Sequence, residues 1–233
     1  TNNTITNTSI LGSSTMASTT NGGNNWFGAG AVTTGNDGNT ISSCNIGPAG
    51  TNLPTKAVYG NGSTASAAVY NSGNTITGNN IFDFFNAAAQ SNGLYLAGGN
   101  TDWIITNNRF YQTATRTQTT GAIHSAIQVA SSTGNNNHNV SGNIIGYSSA
   151  AGTGTYTFVG IGTGSKFLPI YFSSAATTTP SSIQGNTITA ISLSGVVGGT
   201  STSGAFVGIS IASGVATIGM TAKSALRCRR PGS

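Results

Sequence analysis

Carboxylates are the first residues to examine for chemistry, and the chain carries few of them: Asp37, Asp83 and Asp102, with no Glu. Acid–base cleavage of a glycosidic bond needs two carboxyl groups roughly 5–10 Å apart. In the repeat described below, Asp37 and Asp102 precede equivalent strands that lie two strand spacings, ~10 Å, apart. We therefore name Asp37 and Asp102 as acidic candidates, each of which also fits a turn. We assign no catalytic residue.

Four other side chains could contact a sugar. Arg109 is expected to point outward beside an inward Phe110, where it would either contact an acidic sugar or be solvated. Trp26, Tyr111 and Tyr156 carry rings that can stack on sugars, or that can pack loops against the body of the protein. The candidate carbohydrate contacts are therefore Arg109, Tyr111, Trp26 and Tyr156.

Metal and nucleophile chemistry has weaker signals in this chain. His124 and His138 have no Cys, Asp or Glu partner at metal-binding spacing, and no Ser lies in a nucleophile-elbow sequence. Cys44 and Cys228 are too few for a disulfide framework, so Cys44 is expected to be structural and unpaired. We predict no metal site and no cofactor.

The composition limits the fold class. Of the 233 residues 34 are Gly and only 5% are charged, and Asn, Thr and Ser surround short apolar runs. Gly, Asn, Thr and Ser disfavour helix interiors and favour turns and strand surfaces. The 36% apolar content exceeds that of a disordered linker. We expect one elongated all-β domain with almost no helix.

Positive charge is concentrated at one end of the chain. The formal net charge is +5, but four basic residues, Lys223, Arg227, Arg229 and Arg230, lie near the C-terminus. The rest of the chain has four basic and three acidic residues, without the clustered basic face that binds nucleic acid. No apolar stretch approaches the ~20 residues of a membrane span. Neither nucleic acid nor membrane is an expected partner.

A repeated phrase predicts the architecture. Asn-Thr-Ile-Thr or a close variant begins at Asn3, Asn39, Asn74 and Asn186, with weaker versions at Trp103 and His138. Each central apolar residue is followed by another five positions later, in the pairs Ile5/Ile10, Ile41/Ile46, Ile76/Ile81, Ile105/Phe110, Val140/Ile145 and Ile188/Leu193. Because strand side chains alternate with a period of two, an odd spacing requires a bend between the two residues.

Four of the gaps contain residues that suit such a bend, since Gly and Asn adopt left-handed backbone conformations at low cost: Asn7, Gly78-Asn79, Asn107-Asn108 and Gly142-Asn143. A third apolar run lies upstream of the units: Ala68–Tyr70, Gly93–Leu96, Ala126–Val129, Pro169–Phe172 and Val207–Ile211. Three strands per turn form the cross-section of a parallel β-helix. We predict about seven rungs of three short strands each, stacked ~4.8 Å apart around columns of apolar side chains.

The recurrent Asn residues and the spacers have structural interpretations as well. An amide donates and accepts at once, so Asn3, Asn39, Asn74 and Asn186 are expected to form one ladder at a corner. Long loops are expected to follow the last strands of their rungs and to emerge along one edge, at roughly residues 12–30, 47–66, 112–125, 148–168 and 194–206.

The Gly-Asn-Thr-Ile-Thr-x-Asn-x-Ile pattern, preceded by Gly-Leu-Tyr-Leu-like strands, resembles the parallel β-helix repeats of the pectate-lyase-like superfamily. The closest likeness is to the Asn/Thr-rich type in secreted bacterial surface proteins. The resemblance covers about residues 3–219 and implies a single-stranded right-handed parallel β-helix over residues 1–219. Residues 220–233 are expected to be a basic tail outside the fold. The chain is expected to be a piece of a longer protein, with neighbouring rungs as its partners.

Three functions stand as expectations. The few carboxylates favour a non-catalytic structural or adhesive segment, secreted or on the bacterial cell surface, with a polysaccharide or host-surface glycan as partner. The fold also hosts lyases and glycoside hydrolases, so the alternative is the helical part of such an enzyme. The remote alternative is an ice-binding face of Thr4/Thr6, Thr75/Thr77 and Thr187/Thr189, interrupted by Trp103 and by Asn139/Ser141.

Overall fold

The computed structural model describes residues 1–13, 23–29, 33–130, 133–175, 178–197 and 205–219. In these residues the chain forms short strands and a single turn of 3-10 helix at Ala67–Val69. The strands pair in parallel and the chain passes through three sheets in turn, which confirms the predicted parallel β-helix. The predicted tail, residues 220–233, lies outside the described residues.

Within the described residues, the structure contains no helix with the length and apolarity needed to cross a membrane.

Sheet 1 holds the central apolar residues of the repeat. Its seven strands are, in order, β1 (Thr4–Thr6), β4 (Thr40–Ser42), β8 (Thr75–Thr77), β12 (Ile104–Thr106), β16 (Asn139–Ser141), β20 (Ser181–Gln184) and β24 (Ala216–Gly219). One inward column runs through them: Ile5, Ile41, Ile76, Ile105, Val140, Ile183 and Ile218. The middle five are buried, because each lies between two neighbours of its own kind.

Sheet 2 follows after a sharp corner. Its strands are β2 (Ser9–Gly12), β5 (Asn45–Pro48), β9 (Asn80–Phe82), β13 (Arg109–Tyr111), β17 (Ile144–Gly146) and β21 (Thr187–Thr189). One residue with φ between 53° and 66° makes each corner: Asn7, Ser43, Gly78, Asn107, Gly142 and Gly185. The predicted bend is therefore confirmed, and a single left-handed residue is enough to turn the chain.

The last repeat was assigned to the wrong sheet. Ile188 pairs with Ile145 in sheet 2, and Ile183 takes the place in sheet 1 that the sequence pattern gives to Ile188. The error arises because Asn186-Thr187-Ile188-Thr189 repeats the sheet 1 phrase in a sheet 2 strand. A residue five positions further along, Leu193, then satisfied the spacing by coincidence.

Sheet 3 closes each turn. Its stacked strands are β3 (Asn25–Phe27), β6 (Lys56–Gly60), β10 (Ser91–Leu96), β15 (Ile123–Ala130), β19 (Ile170–Ser173) and β23 (Ile209–Ser213). Of the five apolar runs that were predicted to form the third strand of a rung, four fall within or overlap these strands. Ala68–Tyr70 does not, because it follows the third strand of its rung, β6, and forms the exposed 3-10 turn. A minor two-stranded sheet joins β7 (Asn71–Ser72) to β11 (Asn100–Thr101).

A side lobe replaces two of the predicted loops. β14 (Arg116–Gln118) and β22 (Ile191–Val197) both pair with the long strand β18 (Tyr156–Phe167). Residues 112–125 and 148–168 are thus partly strands, and so are the parts of 12–30 and 47–66 that form β3 and β6. Of the fifth predicted loop, 194–206, residues 194–197 belong to β22 and residues 198–204 lie outside the described residues. The lobe has its own small core: Phe85, Tyr156, Phe158 and Phe167. The aromatics assigned to loops lie in strands, in accord with their β propensity.

Asparagine forms two separate amide ladders. In the first, Asn3 and Asn39 each donate from Nδ2 to Oδ1 of the next member at 2.9 Å, ending at Asn74. The second lies at the sheet 1 to sheet 2 corner and comprises Asn79, Asn108, Asn143 and Asn186. The predicted ladder is confirmed for its first three members. Asn186 was placed in the wrong ladder, because both corners use an Asn before the strand.

Cys44 is buried and unpaired, as predicted. It lies one rung before Asn79 at the start of the second ladder, and its backbone N–H donates to Asn79 Oδ1 at 2.9 Å. Its Sγ lies 3.1 Å from the Ser42 carbonyl oxygen, where the thiol can donate. Cys228 lies outside the described residues.

Candidate functional site

The outer face of sheet 3 carries an aligned row of rings and amides. Strand alternation places Phe27 in the core and the preceding Trp26 outside, and the same alternation repeats along the sheet. The outward residues pair in register from strand to strand: Trp26, Tyr59, Tyr95, Gln128, Tyr171 and Ser210. We call these six residues the outer strip.

Accessible rings recur on every second rung of the outer strip. Trp26 is 50% exposed, Tyr95 and Tyr171 are half-buried, and Tyr59 and Gln128 between them are buried. Two strand spacings separate each accessible ring from the next, ~10 Å. The Tyr59 and Tyr95 rings stack with centroids 5.5 Å apart and planes within 10°. The buried Tyr59 ring therefore supports the accessible Tyr95 ring.

Polar groups beside the outer strip form contacts mainly with one another and with the strip. Asn92 Nδ2 donates to Ser125 Oγ at 2.7 Å and to Gln128 Oε1 at 2.8 Å. Lys56 is 1% exposed, with Nζ 4.0 Å from the centroid of the Tyr59 ring. Burial lowers the pKa of Lys56 to about 8 and raises the pKa of Tyr59 to about 12. The tyrosine hydroxyl thus stays neutral and able to donate near neutral pH.

Arg109 and Tyr111 lie on a different sheet from Trp26. Arg109 is half-buried on the outside of sheet 2 and Phe110 is fully buried, which confirms the predicted orientations. Tyr111 is only 8% exposed, because its ring stacks on Phe82 with centroids 5.4 Å apart. The four predicted carbohydrate contacts therefore do not converge on one site.

Tyr156 is excluded as a surface sugar contact. Its side chain is 0% exposed in β18, and its hydroxyl lies 2.6 Å from His124 Nε2. The sequence interpretation failed because residues 156–158 were assigned to a loop, whereas they form the core of the side lobe. Burial raises the pKa of Tyr156, so its hydroxyl is a neutral hydrogen-bonding group inside the lobe.

The two acidic candidates each accept hydrogen bonds at the corner that leads into sheet 1. Asp37 Oδ1 accepts from the Ser72 backbone N–H at 2.8 Å and from Ser72 Oγ at 3.0 Å. Asp102 Oδ2 accepts from Thr101 Oγ1 at 3.0 Å, and its Oδ1 accepts from Asn137. These carboxylates bind the next rung of the helix, as turn residues do. Asp83 forms an ion pair with Arg116 instead.

One buried contact had no signal in the sequence. Ser91 Oγ lies 2.7 Å from His124 Nδ1, a pairing used by activated nucleophiles. Ser91, His124 and Tyr156 are all 0% exposed, so solvent does not reach the serine hydroxyl. Burial lowers the pKa of His124 to about 3, which keeps the ring neutral. Thirty-three residues separate Ser91 from His124, and only the stacking of β10 on β15 brings them together.

In the described part of the chain, no three His, Cys, Asp or Glu side chains cluster in a way that could hold a metal ion. His124 and His138, for which we predicted no metal, are both buried inside the protein. His138 Nδ1 accepts from the Trp103 backbone N–H at 3.2 Å, so this ring belongs to a corner of the fold.

The threonine face of the ice-binding alternative has different members from those predicted. Thr4, Thr6, Thr75 and Thr77 do lie on the outside of sheet 1, but Thr187 and Thr189 belong to sheet 2. Trp103 does not interrupt this face, because it is fully buried and donates from Nε1 to the Asn71 carbonyl. Ile104, 40% exposed, interrupts the face instead, as do Asn139 and Ser141.

Comparisons of the chain with protein-family models, with curated proteins and with solved structures found no match.

Proposed function

We propose that the protein is a non-catalytic binding segment of a secreted or cell-surface protein, and that it holds a glycan along the outer strip. The observation that supports this most directly is the row of accessible rings, Trp26, Tyr95 and Tyr171, on every second rung. Aromatic faces pack against the C–H faces of sugars, and phenol and amide groups bind sugar hydroxyls. A linear polysaccharide or a host-surface glycan presents both kinds of group repeatedly along its length.

The charge around the outer strip indicates the class of glycan. None of its six residues is charged near neutral pH, and the neighbouring Lys56 contributes a single buried amine. A neutral or weakly acidic polysaccharide fits this surface, whereas a highly sulfated one would need a dense cationic face.

A non-catalytic role agrees with the hydrogen bonds of the acidic residues. Asp37 and Asp102 accept bonds from Ser72 and from Thr101 and Asn137, and Asp83 pairs with Arg116. Relationship to the pectate-lyase-like superfamily is part of this proposal and is supported by the parallel stacking of the three sheets. In the lyase or hydrolase alternative the chain is the helical part of an enzyme whose catalytic residues lie elsewhere.

Affinity electrophoresis through gels containing neutral and acidic polysaccharides tests the proposal. We expect at least one polymer to retard the protein, and Tyr95→Ala and Tyr171→Ala each to weaken retardation about fivefold, from the ~1 kcal/mol of an aromatic contact. Tyr70→Ala is the matched control, since Tyr70 is half-buried at the end of the 3-10 helix and outside the outer strip.

Three outcomes would count against the proposal. Wild-type protein that migrates freely through every gel would contradict it, and so would a Tyr70→Ala variant that loses as much retardation as the outer-strip variants. Clearing of the embedded polymer, abolished by Asp37→Ala or Asp102→Ala, would establish the enzyme alternative instead.

A further inference from the structure

A row of small side chains lies beside the outer strip on the same face of sheet 3. Strand alternation turns the residue two positions after each strip residue to the same side. After Tyr95, Gln128 and Tyr171, which lie on consecutive strands, these residues are Ala97, Ala130 and Ser173. All three are partly exposed, and we call them the small row. Their short side chains leave a shallow groove about 7 Å across the strands from the rings.

The Trp26 indole lies over the sheet at the equivalent place on the first strand. A Cβ atom at Gly28, two positions after Trp26, would lie 2.7 Å from Trp26 Cζ2. The indole therefore lies over the backbone of residue 28, while half of the Trp26 surface stays exposed. Trp26 thus offers an aromatic face at one end of the groove.

The accessible rings set a repeat along the axis of the β-helix. Trp26, Tyr95 and Tyr171 lie on every second strand, so successive rings are ~10 Å apart and the three together span ~19 Å. In-register pairing keeps the three rings in one row across the sheet. A ligand that contacts all three rings must therefore be straight and must present the same apolar face every ~10 Å.

We propose that the glycan on the outer strip is a neutral polysaccharide of equatorially 1,4-linked hexopyranoses, the linkage of β-1,4-glucans and β-1,4-mannans. This inference rests on the proposed function, because it assigns a linkage to the glycan held by the same surface. Equatorial 1,4-linkage gives a straight ribbon in which each sugar advances the chain by about one strand spacing, ~4.8 Å. Successive sugars are turned over, so every second sugar presents the same C–H face to Trp26, Tyr95 or Tyr171.

Other linkages do not fit this row. The axial bond of an α-1,4-glucan and the 1,3-bond of a β-1,3-glucan both curve the chain into a helix, which leaves a straight row of rings after a few sugars. Acidic polymers are disfavoured because none of the strip residues is charged near neutral pH and the neighbouring Lys56 is 1% exposed. Straightness, repeat and charge thus select the same class of polymer.

Calorimetric titration of the full chain with four hexasaccharides tests the linkage. The ligands are the β-1,4-linked hexamers of glucose and of mannose, and the α-1,4- and β-1,3-linked hexamers of glucose. We expect at least one β-1,4-linked hexamer to bind at least about tenfold more tightly than both of the other glucose hexamers, because only the straight chain meets three rings. The three glucose hexamers have the same composition and charge, so their comparison isolates the linkage.

The length of the β-1,4-linked chain gives a second measurement. Sugars one, three and five meet the rings, so affinity should rise about fivefold from disaccharide to trisaccharide and again from tetrasaccharide to pentasaccharide. Tyr171→Ala should abolish the second rise and keep the first, because Trp26 and Tyr95 remain. This measurement does not depend on the small row.

A substitution in the small row tests the groove itself. Ala97→Leu places a larger side chain beside Tyr95 and should weaken binding of the β-1,4-linked hexamer about tenfold. Ala151→Leu is the matched control, since Ala151 is exposed in the loop between β17 and β18, and it should bind as the wild type does. Circular dichroism melting curves of both variants show whether the fold is kept.

The outcomes separate the linkage from glycan binding in general. If the α-1,4- or β-1,3-linked hexamer binds as tightly as the β-1,4-linked hexamers, or if only an acidic polymer retards the protein in gels, the linkage is overturned and the proposed function stands. Affinity that rises equally with every added sugar also overturns the linkage. If no oligosaccharide and no polymer binds, both proposals fail.

Discussion

At the scale of single residues, the buried asparagines determine how one rung is joined to the next. Asn108 is 0% exposed, and its Oδ1 accepts from the backbone N–H and from Nδ2 of Asn79 at 3.0 and 2.9 Å. Its Nδ2 donates to the Ile76 carbonyl at 2.8 Å and to Asn143 Oδ1 at 3.0 Å. One amide thus satisfies groups on both neighbouring rungs, which no apolar side chain can do.

Asn108→Ala should therefore destabilise the protein by ~2–4 kcal/mol, because it leaves several buried groups of the ladder unpaired at once. Asn139→Ala is the matched control, since Asn139 is exposed in β16 and should cost less than ~0.5 kcal/mol. Urea unfolding followed by circular dichroism measures both. Equal losses for the two variants would show that the amide ladder contributes nothing special to stability.

At the scale of elements, the ladder positions are occupied by more than one residue type. The first asparagine ladder ends at Asn74. On the next rung Trp103 takes the equivalent position, and its backbone N–H donates to His138 Nδ1 at 3.2 Å. The His138 backbone N–H then donates to Ser181 Oγ at 2.9 Å. At Trp103 and His138 a histidine nitrogen and a serine hydroxyl on the next rung act as the acceptors, in place of an asparagine oxygen. This explains why the repeated phrase weakens at Trp103 and His138 while the strands continue in register.

Strand β12 offers a direct test of the inward and outward faces. Ile105 is fully buried in the sheet 1 column and the adjacent Ile104 is 40% exposed. Ile105→Ala should cost ~2–5 kcal/mol through lost burial and a cavity, whereas Ile104→Ala should cost less than ~1 kcal/mol because little area is lost. Thermal and urea unfolding of both variants provide the measurement, and a larger loss for Ile104→Ala would reverse the assigned faces.

At the scale of the whole molecule, two fully buried histidines link global stability to pH. Burial lowers the pKa of His124 to about 3, with Arg116 adding to the effect, and lowers that of His138 to about 4 against the opposing pull of Asp102. In the unfolded chain both groups have the ordinary histidine pKa of 6.5. Below that pH the unfolded state binds protons that the folded state does not, so acid favours unfolding.

The free energy of unfolding should be highest above pH 6.5 and should fall toward about pH 4, by up to ~1.4 kcal/mol per pH unit for each histidine. His124→Gln should remove about half of that slope, and His124→Gln combined with His138→Gln most of it. Urea unfolding from about pH 7.5 to about pH 4.5 gives the slopes. A wild-type stability that stays flat across this range would contradict neutral burial of the two rings.

Much of this architecture was already visible in the spacing of residues. The pairs Ile76/Ile81 and Ile105/Phe110 required a bend, and the left-handed Gly78 and Asn107 make it. The outward Arg109, the unpaired Cys44 and the first asparagine ladder were also predicted correctly. These features follow from local alternation and from residue-specific backbone preferences, which operate over a few positions of the chain.

Other features depend on contacts between residues far apart in sequence. Asn186 could be assigned to its ladder only once Asn143 was seen beside it, because the same phrase serves two corners. The side lobe buries Tyr156 against His124, and neither residue signals that contact locally. The outer strip likewise arises from strand register. The sequence by itself determined that the chain bends into stacked rungs, because that outcome is local. Which side chains share a column or a ladder was decided only by the tertiary structure, because insertions of unequal length lie between rungs and leave their alignment to packing.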